Sequence, residues 1–551
     1  MTTDIDVRKV RFILMAAAVL AAAFLFVLLP LPPRALVFAD PPSSTAIGSF
    51  HVHTNRSDGS GTPDEVAAAA ARAGLNFIVL TDHGDGTREP EPPQYRSGVL
   101  VIDGVELSTQ TGHYIALGLP RTPYPLRGEA RDVVEDVRRL GGFGVVAHAD
   151  SAKPALRWHD WNVPFDAMEW LNADTEWRDE GRWHLLRALV RYPFRPAETL
   201  ASLLDRPEIT LQRWDALTQT RPVVALAGAD AHARAGWLDD DANGYTRGWF
   251  LRIPSYDASF HTFAMRVPLE RPIGPLSNDA RGDAARIMSA LRAGSVYTAI
   301  DAIAGPAALE FSASGATLVA RTNASSGTIV LRKDGRVVSQ HASPVLTYDS
   351  KGEHGTYRVE VQLSHAPGHQ PVPWIVSNPI YIRPDGWGMP PAAAPYSPTI
   401  SLSIQGGPWH TETDGTSSAE VSQTEPPKGP AEFTYRLADG GRMDQHAALV
   451  VGVGTALTER THLALRVQAS RPMRISVQAR QPQSGDRWQR SIYLDGEIRN
   501  VVIPFSEMSA VGASGSFDPA KVDTLLFVVD LTNSSPGTAG HFTIHDLRIE
   551  K

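Results

Sequence analysis

The chain of 551 residues contains no cysteine. Disulfides, thiolate metal sites and a cysteine nucleophile are thereby excluded, and any metal must be held by His, Asp or Glu. A basic tail is also missing. The 52 Lys and Arg stand against 60 Asp and Glu, giving a net charge of −8. Nothing in that balance marks a nucleic-acid groove, so no stable nucleic-acid complex is expected. No short internal repeat is present. The chain is too long for a single core, which points to several domains.

The long apolar run is confined to the N-terminus. Arg8, Lys9 and Arg11 precede it, and it extends over residues 12–31. The length suits one membrane span and exceeds a signal-peptide core. "VFAD" at Val37–Asp40 nonetheless offers a cleavage site after Ala39. Residues 1–11 are thus expected as a cytoplasmic flank, and residues 12–31 as an N-terminal transmembrane helix (a signal anchor) or a signal peptide. Both place the body outside the cytoplasm, periplasmic or extracellular: held to the membrane by that helix, or secreted if it is cleaved.

From residue 46 to about 306, short apolar runs alternate with helical patterns, the signature of an α/β domain. In "GTPDEVAAAAARAGLNFIVLTDH", Thr62 is a helix N-cap, Pro63 the first helical residue, Glu65 the partner in a capping box, and Gly74 the stop. Phe77–Leu80 is then a buried strand. A second helix is expected over Ala130–Leu140, with strands at Phe143–Ala147, in "FDAMEWLN" and from about Val223. The Trp-rich stretch before Val223 is expected to form helices over the barrel mouth. Residues 307–383 read as strands and turns, with a hairpin at Asp334-Gly335, and suggest an Ig-like β-sandwich. Residues 384–398 are a proline-rich linker. Residues 399–551 read as a second β-domain, jelly-roll or galactose-binding-like, with Trp409, Trp488 and Tyr493 as candidates for stacking on a glycan and core packing as their alternative.

The chemistry concentrates at strand ends. "SFHVH" supplies His51 and His53, and Asp58 follows. "FIVLTDH" supplies Asp82 and His83, "LVIDGVELS" Glu106, "GHYIALGL" His113, "FGVVAH" His148 and "VVALAGADAH" Asp230 and His232. In a barrel of parallel strands, C-terminal ends share one face, where active sites are built. One such histidine is ordinarily a satisfied polar group; six with three strand-end carboxylates, Asp82, Glu106 and Asp230, point to a metal cluster.

In order, "FHVHTNRSDG", "LTDHGDG", "GVELST", "GHYIALGL", "VVAHAD" and "AGADAH" resemble the polymerase and histidinol phosphatase (PHP) domain, over about Ile47–Ala304. The resemblance implies a distorted (β/α)7 barrel in a chain that is α/β plus all-β overall. It also implies up to three divalent metals. His51, His53, Glu106 and Asp230 would hold the first. Glu106 would bridge to a second completed by His113 and His148. Asp58, His83 and His232 would hold the third. The donor types suit Zn, Mn or Fe and do not choose among them. The implied reaction is hydrolysis of a small phosphorylated substrate by a metal-bridging hydroxide, with a nucleotide phosphatase or 5′→3′ exonuclease as variants. Asp82 is expected to orient a ligand, or else to bond loop backbone, and Arg88 to bind phosphate or stay solvated. The rival enzyme is an amidohydrolase, which usually carries a bridging lysine where this chain offers Glu106. The non-enzymatic rival is a surface carbohydrate-binding protein.

Overall fold

The computed structural model describes residues 7–37, 44–240, 246–364, 366, 371–384, 387–388, 398–403, 408–423, 429–440, 443–482, 484–512 and 515–551. Seven strands form its centre: β1 (Thr45–Val52), β2 (Phe77–Leu80), β3 (Val99–Thr109), β4 (Gly112–Leu117), β5 (Phe143–Val146), β6 (Ala167–Asn172) and β7 (Val224–Ala231). They are hydrogen-bonded in chain order, and β7 pairs back onto β1 through Gly228↔Phe50 and Ala231↔Val52, closing the ring. Every neighbouring pair is parallel except β3–β4 and β4–β5, so β4 alone runs backwards. Phe50, Phe77, Val79, Leu100 and Leu226 belong to one buried cluster of this ring.

Nine helices are described: α1 (Val7–Leu28), α2 (Pro63–Arg72), α3 (Ala130–Arg139), α4 (Ala173–Arg178), α5 (Arg182–Arg191), α6 (Pro196–Ala201), α7 (Glu208–Leu217), α8 (Tyr256–Thr262) and α9 (Ala280–Arg292). α2 begins as its sequence dictates. The Thr62 hydroxyl accepts from the Glu65 backbone N–H, and the Glu65 carboxylate accepts from Thr62 N–H at 2.8 Å. α4, α5 and α6 fill the Trp-rich insertion between β6 and β7. α1 has 22 residues. Among the described residues no helix is long and apolar enough to cross a membrane. The side chains of residues 21–28, part of the expected span over 12–31, lie outside that description.

The sheet does not stop at the barrel. β8 (Ala264–Pro268) adds antiparallel to β1, and β9 (Tyr297–Ala299) adds to β8. β9 then pairs with Ile375–Ser377, which leads into Gly355–Gln362, Thr328–Lys333 and Arg336–His341. A separate three-stranded sheet of Leu309–Ser314, Thr317–Thr322 and Val345–Asp349 completes this β region. Its hairpin turns at Asp334 and Gly335, with φ of 48° and 83°, the paired positive values of a tight two-residue turn. The proline-rich stretch 384–398 falls largely outside the described residues. Beyond it stand two six-stranded antiparallel sheets sharing one apolar core that includes Phe433, Leu449, Val477, Phe527 and Phe542.

This C-terminal domain docks on α3 through charge. Arg474, whose side chain is 1 % exposed, reaches Asp136 at 2.8 Å, Glu135 at 3.0 Å and Asp132 at 3.1 Å. Arg490 adds ion pairs to Asp132 and Glu135. The three aromatics considered for sugar stacking are packed instead. Trp488 is buried in the core, Trp409 packs against that core beside Phe527, and Tyr493 packs against the barrel with the Arg139 guanidinium 3.5 Å over its ring. Aromatic area is spent on cohesion there, so none of the three offers an open platform.

Candidate metal centre

Six of the seven barrel strands, all but β6, deliver a donor to one mouth of the ring. His51 lies on β1, one residue before its end, and His53 follows the strand. Asp58 lies in the next loop, and Asp82 and His83 follow β2. Glu106 is on β3, His148 follows β5, Asp230 is on β7 and His232 follows it. His113 departs from the expected rule. It stands near the start of β4, opposite Ser108, and because β4 is antiparallel its start lies at the same mouth. Three of these residues hold a left-handed backbone, His51 at φ 63°, His148 at 30° and Asp230 at 44°. Non-glycine residues persist there only where the surroundings over-determine them, and such strain gathers at functional sites.

Glu106 lies at the centre, with its side chain 1 % exposed. Its Oε2 is 3.2 Å from His51 Nε2 and 3.1 Å from His53 Nε2. Its Oε1 is 2.9 Å from both His113 Nδ1 and His148 Nε2. Asp230 Oδ1 closes the first group at 3.3 Å from His51 Nε2 and 3.6 Å from His53 Nε2. Asp58 Oδ2 gathers the rim group, at 3.5 Å from His83 Nε2 and 3.2 Å from His232 Nε2. The groups are not isolated: His83 Nδ1 is also 3.4 Å from Glu106 Oε2, and His53 Nδ1 is 3.1 Å from Asp58 Oδ1. All nine donors thus form one continuous cluster, buried on the His51–Glu106 side and open at Asp58, His83 and His232.

The donor set fits divalent cations. His51 Nε2 and His53 Nε2 face each other at 3.1 Å while both face Glu106; with each Nδ1 proton given to a carboxylate, Glu169 and Asp58, neutral rings would set two lone pairs against each other, which a cation between them relieves. Burial lowers the His51 pKa, yet Asp230, Glu169 and Glu106 outweigh it and hold it well above the ordinary value. Burial acts likewise on His53, and hydrogen bonds that it donates to Asp58 and Glu106 raise it to about 9. Burial pushes Glu106 upward, but His51, His113 and His148 hold it well below the carboxylate range. The site's field therefore selects positive charge. Subsets of these donors lie within 4.8 Å of one another: His53, Asp58, His83 and His232; His51, His53 and Glu106; and His83, Glu106 and His113.

Glu169 was not singled out from the sequence. It sits on β6, and its Oε1 is 2.7 Å from His51 Nδ1. Its Oε2 accepts from His148 N–H at 2.6 Å and from Asn172 Nδ2 at 2.8 Å. Holding His51 by Nδ1 leaves Nε2 turned into the cluster, as an orienting carboxylate does for a ligating histidine. Gly228 makes room for it: a Cβ there would meet Glu169 Oε1 at 1.8 Å. The signal available in the sequence was a glutamate inside a strand buried at all six positions.

Asp82 takes the loop-binding role. It accepts from Thr54 N–H, Thr54 Oγ1 and Ser57 Oγ, each at 2.8 Å, and so braces the turn that carries Asp58. Arg88 is held by Asp103 at 2.9 Å, in a small pocket that it lines with Asp82 and His83. Arg234 bonds the Asp58 carbonyl at 3.2 Å and, with Lys153, lines a cavity of about 600 Å³ that opens from Asp58, Asp230 and His232.

No family model matches the chain. A 3′,5′-nucleoside bisphosphate phosphatase of Chromobacterium violaceum is 31 % identical over 122 residues, which cover 20 % of this chain and 43 % of that protein. The chain thus spans less than half the length of the curated relative it matches. Among solved structures, a two-domain protein from Bacteroides vulgatus containing a predicted PHP-like metal-dependent phosphoesterase is 14 % identical, covering 63 % of this chain and 99 % of its own, with a TM-score of 0.29. A family 11 carbohydrate-binding module of Clostridium thermocellum is 14 % identical, covering 27 % of this chain and 93 % of its own, with a TM-score of 0.22. Neither of those scores carries an assignment. Six motifs that resemble the PHP domain therefore stand in order along the chain, and their donors converge at one mouth of a seven-stranded ring.

Proposed function

We propose that this protein is a metal-dependent phosphoesterase that acts outside the cytoplasm, held at a membrane by its N-terminal helix. The observation that carries the activity is the Glu106 carboxylate, each oxygen of which faces two imidazoles from different strands. His51, His53, Glu106 and Asp230 would hold one cation, Glu106, His113 and His148 a second, and Asp58, His83 and His232 a third. Divalent cations there would supply a Lewis acid for phosphoryl oxygens and a water activated at neutral pH. The protein's own groups do the rest. Glu169 fixes the His51 ring, Asp82 braces the Asp58 turn, and Arg234 and Lys153 present positive charge to a phosphate at the cavity end. Six imidazoles and three carboxylates with no lysine among them favour this over the amidohydrolase reading. A nucleoside phosphate as substrate is the second reading, favoured by the activity carried in the name of the Chromobacterium relative. Export is supported by the order of Arg8, Lys9 and Arg11 before the apolar run.

The test is phosphate release by the full chain from phosphomonoesters and phosphodiesters, with an amide substrate alongside, in Mn²⁺, Zn²⁺ or Fe²⁺. Turnover that needs metal and is lost in His51→Ala and Glu106→Ala is the expected result. Metal bound without phosphate release, or amide cleavage instead, would overturn the proposal.

A further inference from the structure

The cavity beside the cluster has the wrong walls for a small hydrophilic ester. Asp58, Asp230, His232 and Arg234 stand at one end, but Trp177, Leu185, Leu189, Leu200, Leu203 and Phe263 form much of the remainder. Its volume, about 600 Å³, lies within the range of cavities that enclose a ligand rather than graze it. Asp174, Arg178, Tyr192, Ser259 and Thr262 also reach the cavity, but its surface is mainly apolar, and a sugar phosphate would leave that part of the wall unmatched. A phosphate joined to a long apolar group would satisfy both ends.

α5 forms one wall of that cavity, and it is apolar on the other side too. Leu185 and Leu189 line the cavity, while Trp183, Leu186, Val190 and Phe194, spaced along one face, are 81, 50, 45 and 57 % exposed. Leu189 belongs to both surfaces: it lines the cavity and is 57 % exposed. The cavity wall and the outer apolar face are therefore continuous. The helix also carries Arg182 and Arg187, both exposed, and no carboxylate; its third arginine, Arg191, is buried. An exposed face of Trp, Leu, Val and Phe among arginines is the composition of a helix lying in a bilayer interface over anionic headgroups.

The tether points to the same place. Arg195, just past α5, donates to the Pro30 carbonyl, and Arg34–Ala35 pairs in parallel with Ala304–Gly305. The end of α1 is thus fixed at the foot of α5. The described apolar side chains of α1, Phe12, Ile13, Leu14, Met15, Val19 and Leu20, are all exposed.

We infer that α5 rests on a lipid bilayer and that the substrate is a phosphate monoester of a membrane lipid, whose apolar part enters between Leu185 and Leu189 while its phosphate reaches Arg234 and the cluster. This rests on the phosphoesterase reading above. Hydrolysis would consume one water, form one P–O bond to its oxygen, and break the P–O bond to the lipid oxygen, which leaves protonated as the alcohol.

The full chain would be reconstituted in phosphatidylcholine vesicles containing phosphatidic acid, and phosphate release compared with that from a soluble aryl phosphate. The Trp183→Asp, Leu186→Asp double variant alters exposed positions only. We expect it to lose about tenfold on the vesicles, the effect of losing about 1.4 kcal/mol of interfacial binding, and to keep its rate on the aryl phosphate, which also reports that it is folded. Equal vesicle turnover by variant and wild type would overturn the inference. So would a changed oligomeric state in the variant, which would make the face a contact with a second copy. Aryl phosphate hydrolysed without lipid turnover would refute the inference alone. Failure on both substrates in every metal would remove the phosphoesterase reading beneath it.

Discussion

Replacing Glu169 by Gln tests whether an unligated carboxylate sets the metal affinity of this site. Three donors meet its two oxygens: His51 Nδ1 at 2.7 Å, His148 N–H at 2.6 Å and Asn172 Nδ2 at 2.8 Å. A carboxylate accepts from all three. A glutamine keeps the shape but offers one accepting oxygen and one donating amide. Whichever way the amide turns, a donor faces a donor. If the amide faces His51, the ring is driven to the tautomer that places its proton on Nε2, the atom turned toward Glu106. If it faces His148, a buried backbone N–H loses its acceptor. A hydrogen bond to a charged group is worth about 1.5–3 kcal/mol. The expected loss of metal affinity is therefore about 10–100-fold, the range seen when such orienting partners are removed. The assay is competition with a chelator, read as metal bound per chain, and needs no knowledge of substrate. Gly228→Ala reaches the same group by another route, since its Cβ would lie 1.8 Å from Glu169 Oε1 and must displace the carboxylate. Wild-type affinity and metal content in both variants would refute the orienting role.

Arg234→Ala should raise KM for a phosphate ester about tenfold, as expected for a charge-assisted contact. Arg88→Ala should leave it within about twofold, because Asp103 already holds that guanidinium at the surface. Burial pushes the Glu176 carboxyl up to about 8, with Asp179, Asp205 and Glu180 adding to the shift. The folded chain then holds a proton that the unfolded chain releases near its ordinary value, so this group's contribution to stability falls as pH rises from about 4.5 to about 8. Glu176→Gln should match wild type in thermal unfolding at the acid end of that window and unfold at a higher temperature above it. Arg474→Ala should cost about 1.5–3 kcal/mol, because Asp136 loses a charged partner but keeps Arg139, and Asp132 keeps Arg490. Thermal unfolding would then show the C-terminal domain separating from the barrel first, and a single unchanged transition would contradict that account.

The convergence of the candidate donors could be anticipated from the sequence because it needs only a donor at a strand end. "FHVH", "TDH" and "ADAH" each carry donors within three residues of a buried run, and a closed ring of strands brings such ends together whatever lies between. The reading failed where direction mattered. His113 looks like the start of one more strand unit, and only the antiparallel pairing of β4 places it at the same mouth. It failed again where support comes from another strand. Glu169 lies 118 positions from His51, in a strand otherwise apolar enough to read as core. Arg474 lies 338 positions from Asp136, and neither residue has a local pattern that names the other. Asp82 is the instructive middle case. Its place beside His83 left two readings, orienting a ligand or bonding loop backbone, and its oxygens are taken by Thr54 and Ser57. It supports the cluster by fixing the loop in front of Asp58, not by touching an imidazole. Metal-binding residues of a barrel are thus legible one strand at a time. The groups that aim them are properties of neighbouring strands, and they enter only once the register is known.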